Sequence, residues 1–436
     1  MKIALNSYSG YGSWFALRLL AEGHEVSYHL SNNKYENILK GLVKSKILSL
    51  DNRRTKAGFP DYNKFDLSIF DLTGRKQQAD CSHLCCPTIG DGSIHCQLED
   101  DRVFGIKLME EAGINVPHYE EFTELGPAKS LIKKTGKRYV YKPNGGQDQD
   151  AATTYVSKSP EDLLQYIDEL FKLSKNSPFI LQEFIKGIEC SVEGWFNGDE
   201  FYCVNATIEE KKFMNDGIGP NTGCSGNLVF LLNSHAKIFR EGLYKAKGIL
   251  KNIGFRGMID LNTILTEGEI YGLEWTPRFG YDASATLACM YSGDYADLLY
   301  KTARGDIPHE SFRAAYGVSA RISIPPYPTE IKVPKHDGIP VEGIDPDDME
   351  QILNTYLYDV RCEVGSDDKT KLVTNGITGL IACPIEVASE PEEAFAKLKK
   401  TVENIHVPDM QYRTDIEKST MKRYKEVKRM EWLQNE

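Results

Sequence analysis

Two cationic side chains, two acids and two glycine-rich turns are the groups in this chain whose spacing could support shared chemistry. Lys142 lies inside the apolar segment YVYK, followed by the polar, Gly-containing stretch 143–150. A buried ammonium group is costly unless an anion meets it, and a loop of that kind could close over phosphates as a lid. The bland alternative is a lysine snorkelling from a sheet edge. Asp260 and Glu274 fall on two strand-like segments, 258–265 and 270–275, joined by Thr266-Glu-Gly-Glu269. Neighbouring strands could turn both carboxylates to one side. A hard cation such as Mg²⁺ (or Mn²⁺) takes one or two carboxylates and completes its shell with phosphate oxygens. Arg278, four residues beyond Glu274, could neutralise a transferring phosphoryl group. A surface salt-bridge cluster would use the same three residues.

Two further segments have the composition of ligand loops. Asp216-Gly-Ile-Gly-Pro-Asn-Thr-Gly223 contains Gly219, Pro220, Asn221 and Thr222 and suits a backbone nest for a carboxylate or phosphate. Gly10 and Gly12 sit between a strand and a helix, where backbone N–H groups could face an anion. The spacing departs from the dinucleotide fingerprint at Phe15, so a tight turn is the competing reading. In QEFIKGIE, the backbone of Glu183 and Ile185 could read an amino-purine edge, and Glu189 could accept from ribose hydroxyls. Many strands end in a Lys-Gly turn without binding anything.

The elements that must position these groups can be traced along the chain. Segments 2–5, 24–30 and 66–70 read as strands around a helix at 15–21, a pattern that predicts a parallel, doubly wound sheet. Residues 100–112 form a helix with Val103, Ile106 and Met109 on one face. Ser159-Pro160 starts another helix. Segments 190–197 and 200–206 flank Gly198-Asp199 as a hairpin. From about Val318 the tail reads as a separate α+β unit, with a strand at 377–382 and capping-box spacing at Ser389-Glu-Pro-Glu392. The expected domains are 1–98, 99–317 with a lid subdomain at about 118–185, and 318–436.

Length and charge narrow the function classes. At about 150 residues per domain, 436 residues suggest roughly three domains. A net charge of −11 argues against duplex nucleic acid as a partner, because neutralising phosphates supplies most of that affinity. No apolar run is long enough to span a bilayer, so the expected setting is the cytoplasm and no membrane partner is expected. Cys81, His83, Cys85, Cys86, His95 and Cys96 crowd one stretch. Their spacing is not that of paired zinc ligands, and reduced thiols at a sheet edge are expected instead.

The order of these segments resembles the ATP-grasp superfamily, and within it the phosphoribosylamine–glycine ligase family, from the first strand nearly to the end. LEDDRVFGIKLMEEAGINVP, QEFIKGIECSVEGWFNG, DGIGPNTG and LEWTPRFG carry the resemblance, with Tyr412-Arg-Thr-Asp-Ile416 near the end of the chain. It implies an ATP-grasp fold with an N-terminal Rossmann-like domain and a C-terminal α+β domain. The implied activity is an ADP-forming carboxylate–amine ligase of purine biosynthesis, using ATP and Mg²⁺ or Mn²⁺ and passing through an acyl phosphate. Its partners would be a small carboxylate, such as glycine, and an amine, with a monomer or homodimer as the unit. The resemblance implies phosphate contacts for Arg102 and Lys142, and the adenine hinge for Glu183 and Ile185. It puts Glu189 at the ribose, Asp260 and Glu274 at the metal, and Arg278 at the reacting phosphoryl group. Gly219, Pro220, Asn221 and Thr222 would face substrate.

The departures lie mainly on the acceptor side. The family's Arg-Glu-His in the first loop is replaced by Tyr11-Gly-Ser-Trp14, R-F-G-D-P-E by Arg278-Phe-Gly-Tyr-Asp-Ala283, and the metal-side Asn by Thr276. Two alternatives stay open: the same chemistry on a different amine, for instance one stacking on Tyr11 or Trp14, and an ATP-binding protein without turnover.

Overall fold

The computed structural model describes residues 1–30, 32–42, 62–71, 86–90, 93–144, 154–329, 333–365 and 369–435. The expected lid loop 145–150, and Cys81, His83 and Cys85, lie outside these residues. Alternation of short apolar strands with helices gives the N-terminal sheet its form. Four parallel strands run in the order Glu25–Leu30, Lys2–Ser7, Leu67–Phe70, Thr88–Ile89. Ile3, Ala4 and Leu5 are fully buried in sequence, as a strand covered on both faces requires. The helix Ser13–Ala21 follows the first strand through the Gly10–Gly12 turn and buries Trp14, Phe15 and Leu19.

The centre is a nine-stranded sheet whose path runs Ile270–Thr276, Gly257–Leu265, Ile188–Phe196, Phe201–Glu209, Gly226–Leu231, Tyr316–Ala320, Leu380–Ala388, Ile322–Ser323, with Thr355–Leu357 paired to Leu380–Ala388. The boundary expected at 317/318 therefore falls inside this sheet, where Val318 sits in register between Leu228 and Glu386. One continuous core joins the N-terminal sheet, the central sheet and the tail. The strand expected at 377–382 is observed at Leu380–Ala388. The helix Pro391–Asn404 has Glu390 at its N-cap with no side-chain cap bond, so Ser389 does not form the expected capping box. Pro391 at the first turn does the work of starting it.

A smaller antiparallel sheet, Tyr119–Phe122, Phe179–Glu183, Tyr139–Pro143, Tyr155–Val156, carries the helices Leu125–Thr135 and Pro160–Leu173 on a core of its own. Ser159 caps the latter, accepting from the Asp162 N–H at 3.2 Å. This lobe rests on the helix Arg102–Glu111 through Ile180 against Val103 and Ile106. Among the described residues, no helix is long and apolar enough to cross a membrane.

Candidate active site

One face of the central sheet is polar, and period-two alternation explains why. Glu189, Ser191 and Glu193 share a face of their strand, as do Asn205, Thr207 and Glu209 of the next, and all but Glu189 are buried or nearly so. Across the strands Asp260 pairs with Glu193 on one side and Thr276 on the other, while Asn262 pairs with Glu274. Asp260 and Glu274 therefore share a face as diagonal neighbours, one rung apart. Asn262, rather than Asp260, is the direct partner of Glu274. Its amide donates to Asp260 Oδ2 at 3.1 Å.

Three cations reach these acids from different elements. Arg102, at the start of its helix, donates from Nη1 to Glu274 Oε2 at 3.0 Å and from Nε to the Pro143 carbonyl at 3.3 Å. It thereby ties the lobe strand that carries Lys142 to the strand that carries Glu274. Lys142 is only 6% exposed, and the snorkelling alternative does not hold. Burial, with Arg102 beside it, pulls its ammonium down to about 8, against the pull of Glu274 and Glu189. Lys211, unforeseen from sequence, donates to Glu189 and, at 3.0 Å, to Asn262 Oδ1. Burial opposes the charge on Glu274, yet Arg102, Lys211 and Lys142 together hold its carboxyl at about 2. Glu209 moves the other way, to about 7, by burial.

The remaining hinge residues lie at the mouth between lobe and sheet. Glu183 ends its strand with its N–H bonded to the His118 carbonyl at 2.8 Å and its carboxylate on Lys137 at 2.6 Å. Ile185 follows in the irregular link to Ile188–Phe196 and is half-buried. Gly187 in this link is demanded by space, since a Cβ would stand 2.4 Å from the Leu265 carbonyl oxygen.

Arg278 lies toward the N-terminal sheet. It forks onto Glu99, with Nη2 to Oε1 at 2.7 Å and Nε to Oε2 at 3.2 Å, and lies 4.7 Å over the Tyr281 ring. Burial disfavours its charge, but Glu99 raises its pKa overall. The Gly10–Gly12 turn meets Asp71 at the end of its strand. Ser7 Oγ donates to Asp71 Oδ2 at 2.5 Å and accepts from the Gly10 N–H at 3.1 Å. A Cβ at Gly12 would stand 2.8 Å from the same carboxylate oxygen, so this turn closes on an acid of the protein. Burial lifts Asp71 to about 7 against its bonds from Ser7 and Gly12. Trp14 is fully buried and donates to the Leu353 carbonyl at 2.9 Å, which removes it as a stacking surface. Tyr11 stays half-buried, 4.7 Å from the Tyr281 ring and 5.7 Å from that of Tyr358.

The loop with Gly219, Pro220, Asn221 and Thr222 is a hairpin with an exposed tip and a buried Thr222 at its base, bridged at Lys212–Asn221 and Phe213–Pro220. The Asp216 N–H, which a nest would offer to a ligand, donates to Asp415 Oδ2 at 2.8 Å. The Thr222 N–H goes to the Lys211 carbonyl at 2.7 Å. Arg413 is nearly inaccessible and holds Asp415, Glu210 (2.9 Å) and the Lys212 carbonyl (3.0 Å). The tail motif thus works as a clamp on this hairpin. His95 stacks on Phe255 and bonds the Arg256 carbonyl. Among the described residues it forms no metal-holding group with Cys86 or Cys96.

Lys142, Arg102, Glu189, Asp260 and Glu274 are brought together, Glu183 and Ile185 border them, and Arg278 stands between them and the Gly10–Gly12 turn. Lys211, Glu193, Glu209, Asn262 and Asp71 were missed. The polar period-two pattern of 189–193 and 205–209 was the available signal for Glu193 and Glu209. Lys211 is hidden in the charged run EEKK. The set fits a cation and a polyphosphate. Among the described residues, Asp260 Oδ1 and Glu193 Oε2 are buried with no hydrogen-bond partner, and three ammonium or guanidinium groups converge on neighbouring acids.

Residues 100–283 match the family model described as phosphoribosylglycinamide synthetase, ATP-grasp (A) domain. The curated phosphoribosylamine–glycine ligase of Leptospira interrogans is 25% identical over 352 residues, 77% of this chain and 78% of that protein. That of Thermotoga maritima is 25% identical over 329 residues, 73% of this chain and 77% of its own length. The solved structure of the Thermotoga maritima phosphoribosylamine–glycine ligase aligns with a TM-score of 0.73 at 19% identity, covering 95% of this chain and 100% of that one. The biotin carboxylase domain of Hydrogenobacter thermophilus 2-oxoglutarate carboxylase, solved with MgADP, ADP and bicarbonate, aligns with a TM-score of 0.63 at 13% identity, covering 98% of each chain.

Proposed function

We infer the reaction of this chain from its place as a divergent member of the ATP-grasp family that holds the phosphoribosylamine–glycine ligases. It is a C–N bond-forming ligase that consumes ATP. A substrate carboxylate oxygen attacks the γ-phosphorus, the bond to the β,γ-bridging oxygen breaks, and ADP leaves. The acyl phosphate is then attacked at carbon by an amine. Inorganic phosphate departs, the amine loses a proton, and an amide remains. Glycine or another small amino acid is the proposed carboxylate. The reaction needs no covalent protein nucleophile, since positioning and charge neutralisation carry it.

The observation that supports this reading most is the convergence of Lys142, Arg102 and Lys211 on Glu274, Glu189 and Asn262. Arg102 and Lys211 are paired to acids and an amide that a triphosphate would displace, and Lys142 is buried beside them. Asp260 and Glu274, with the Thr276 hydroxyl and Asn262 near them, would hold Mg²⁺ or Mn²⁺, which would offset the phosphates' negative charge. Lys142 and Arg102 bind and orient the phosphates. The Glu183 and Ile185 backbone borders the base, and Glu189 the ribose. Arg278 stabilises the phosphoryl group in transit. Gly10, Gly12 and the hairpin carrying Gly219, Pro220, Asn221 and Thr222 border the substrates. The lobe that carries Lys142 excludes water from the acyl phosphate. The working unit is proposed as a monomer or homodimer in the cytoplasm with only small molecules as partners.

The test is product analysis with pure protein, ATP, Mg²⁺ and pairs of carboxylates and amines. ADP and phosphate should appear in equal amounts with the amide, and only when both substrates are present at saturation. Release of AMP, or ADP formation indifferent to the carboxylate, would contradict the reading.

A further inference from the structure

Beside the nucleotide cluster lies a second group of side chains that the family motifs do not account for. Asp282 replaces a proline of the family's R-F-G-D-P-E segment and opens the helix Asp282–Met290, where it is fully buried. Arg321, on the strand side of the tail, donates from Nε to Asp282 Oδ2 at 2.6 Å and from Nη1 to the Tyr327 hydroxyl at 3.1 Å. Tyr358 donates to the other Asp282 oxygen. Arg321 is 9% exposed and its guanidinium carbon lies 5.7 Å from the Tyr358 ring centre. Among the described residues, nothing accepts from its Nη2.

Two features open this guanidinium edge to a ligand. Gly223, at the inner end of the hairpin, carries no side chain over it, and a Cβ there would stand 3.9 Å from both Nη atoms. The walls are half-buried rings: Tyr11 and Tyr281, 4.7 Å apart, with Tyr327 beyond. Tyr281 is held at φ 46°, ψ −105°. That backbone is costly for a residue with a Cβ, and such strain persists where surrounding structure enforces it, often at ligand sites. It keeps the ring between Arg278 and Tyr11.

We propose that Arg321 receives the carboxylate of the acceptor, so that the amine substrate is an α-amino acid whose body lies against Tyr11 and Tyr281. This deepens the ligase reading and rests on it. A planar carboxylate matches one guanidinium edge. A phosphomonoester, with about 1.5 to 2 negative charges, would enter a pocket whose described carboxylates include Asp282, Asp71 and Glu99. Among the described residues, the pocket's two guanidinium groups are each matched by a carboxylate, Arg321 by Asp282 and Arg278 by Glu99. An acceptor of one negative charge and a cationic amine suits that balance.

The test separates the two half-reactions in the full-length protein. Hydroxylamine traps the acyl phosphate as a hydroxamate and reports the first half without any acceptor. Amines are then compared as α-amino acids, their carboxamides, and phosphate-bearing amines such as O-phosphoethanolamine. The expected result is an amino-acid KM about 100-fold or more below that of the matching amide. Arg321→Lys should raise the amino-acid KM about 100-fold while hydroxamate still forms. The pair Arg321→Gln with Asp282→Asn removes both charges together and should give the same loss without stranding a buried carboxylate. Hydroxamate formation with no preference for the free carboxylate, or with preference for the phosphate-bearing amine, overturns the assignment and leaves the ligase reading standing. Hydroxamate from no carboxylate at all defeats both.

Discussion

The two halves of the cleft are built from different materials. On the proposed nucleotide side, Arg102 donates to Glu274 and Lys211 to Glu189 and Asn262, with Lys142 buried beside them. On the acceptor side, tyrosine rings enclose two ion pairs, Arg278–Glu99 and Arg321–Asp282. The first half is a lattice of exchangeable charges, suited to a polyanion that replaces one partner by another. The second is a shaped, mostly uncharged wall with fixed pairs, suited to choosing one body over others. The proposed phosphoryl-transfer half carries the segments that resemble the phosphoribosylamine–glycine ligases, whereas the proposed selecting half departs from that pattern at Tyr11, Tyr281 and Asp282.

The contrast breaks most visibly if the acids of the first half are touched. Glu274→Gln should lower kcat by about 10³-fold, since it removes a metal-side carboxylate and the partner of Arg102. The amino-acid KM should stay within about twofold, and steady-state kinetics with each substrate varied in turn checks both. A matching shift in the amino-acid KM would mean that the two halves are not separable.

A second, smaller effect sharpens the charge-lattice picture. Burial and Arg102 chiefly hold Lys142 down to about 8. A triphosphate favours the charged form, so binding near pH 8 should take up about half a proton, and less as pH falls below 7. Calorimetry in buffers of different ionisation enthalpy measures this. Lys142→Arg should bind without that uptake.

The smallest effect concerns the acceptor turn. Asp71 is raised to about 7 by burial, well above its unfolded value. A proton is then held more tightly in the folded chain, so this stabilising contribution is full below about pH 4 and fades as pH rises to about 7. Asp71→Asn should flatten the urea midpoint over that interval, provided other acids titrate alike in both proteins.

Much of this was legible in the sequence where local period and tertiary burial agree. The hairpin with Asp260 and Glu274 is seen at Gly257–Leu265 and Ile270–Thr276, and the Lys142 strand at Tyr139–Pro143. The helix Arg102–Glu111 begins where Asp101 caps it, its carboxylate accepting from the Phe104 N–H at 3.0 Å. What stayed hidden depends on long-range contact. Arg321 lies on a tail whose alternating pattern says nothing about joining the central sheet, so its pairing with Asp282, 39 positions earlier, could not be read. Asp71 looks like an ordinary strand-end acid until the Gly12 turn folds onto it. The Gly219 hairpin has the composition of an anion nest, yet Asp415, almost two hundred residues later, takes the Asp216 N–H. Trp14 beside Tyr11 could equally have faced a ligand or the core, and only the packing under the helix decides for the core.

Reversible transfer of the γ-phosphoryl group to a carboxylate is the claim on which both halves depend. Positional isotope exchange in ATP carrying ¹⁸O at the β,γ-bridge measures it most directly. With Mg²⁺ and the donor carboxylate but no amine, the label should move from the bridge to the non-bridging β-positions, and it should stay in place when the carboxylate is left out. An unmoved label with every carboxylate that binds, under conditions where the protein demonstrably holds ATP, would contradict the account.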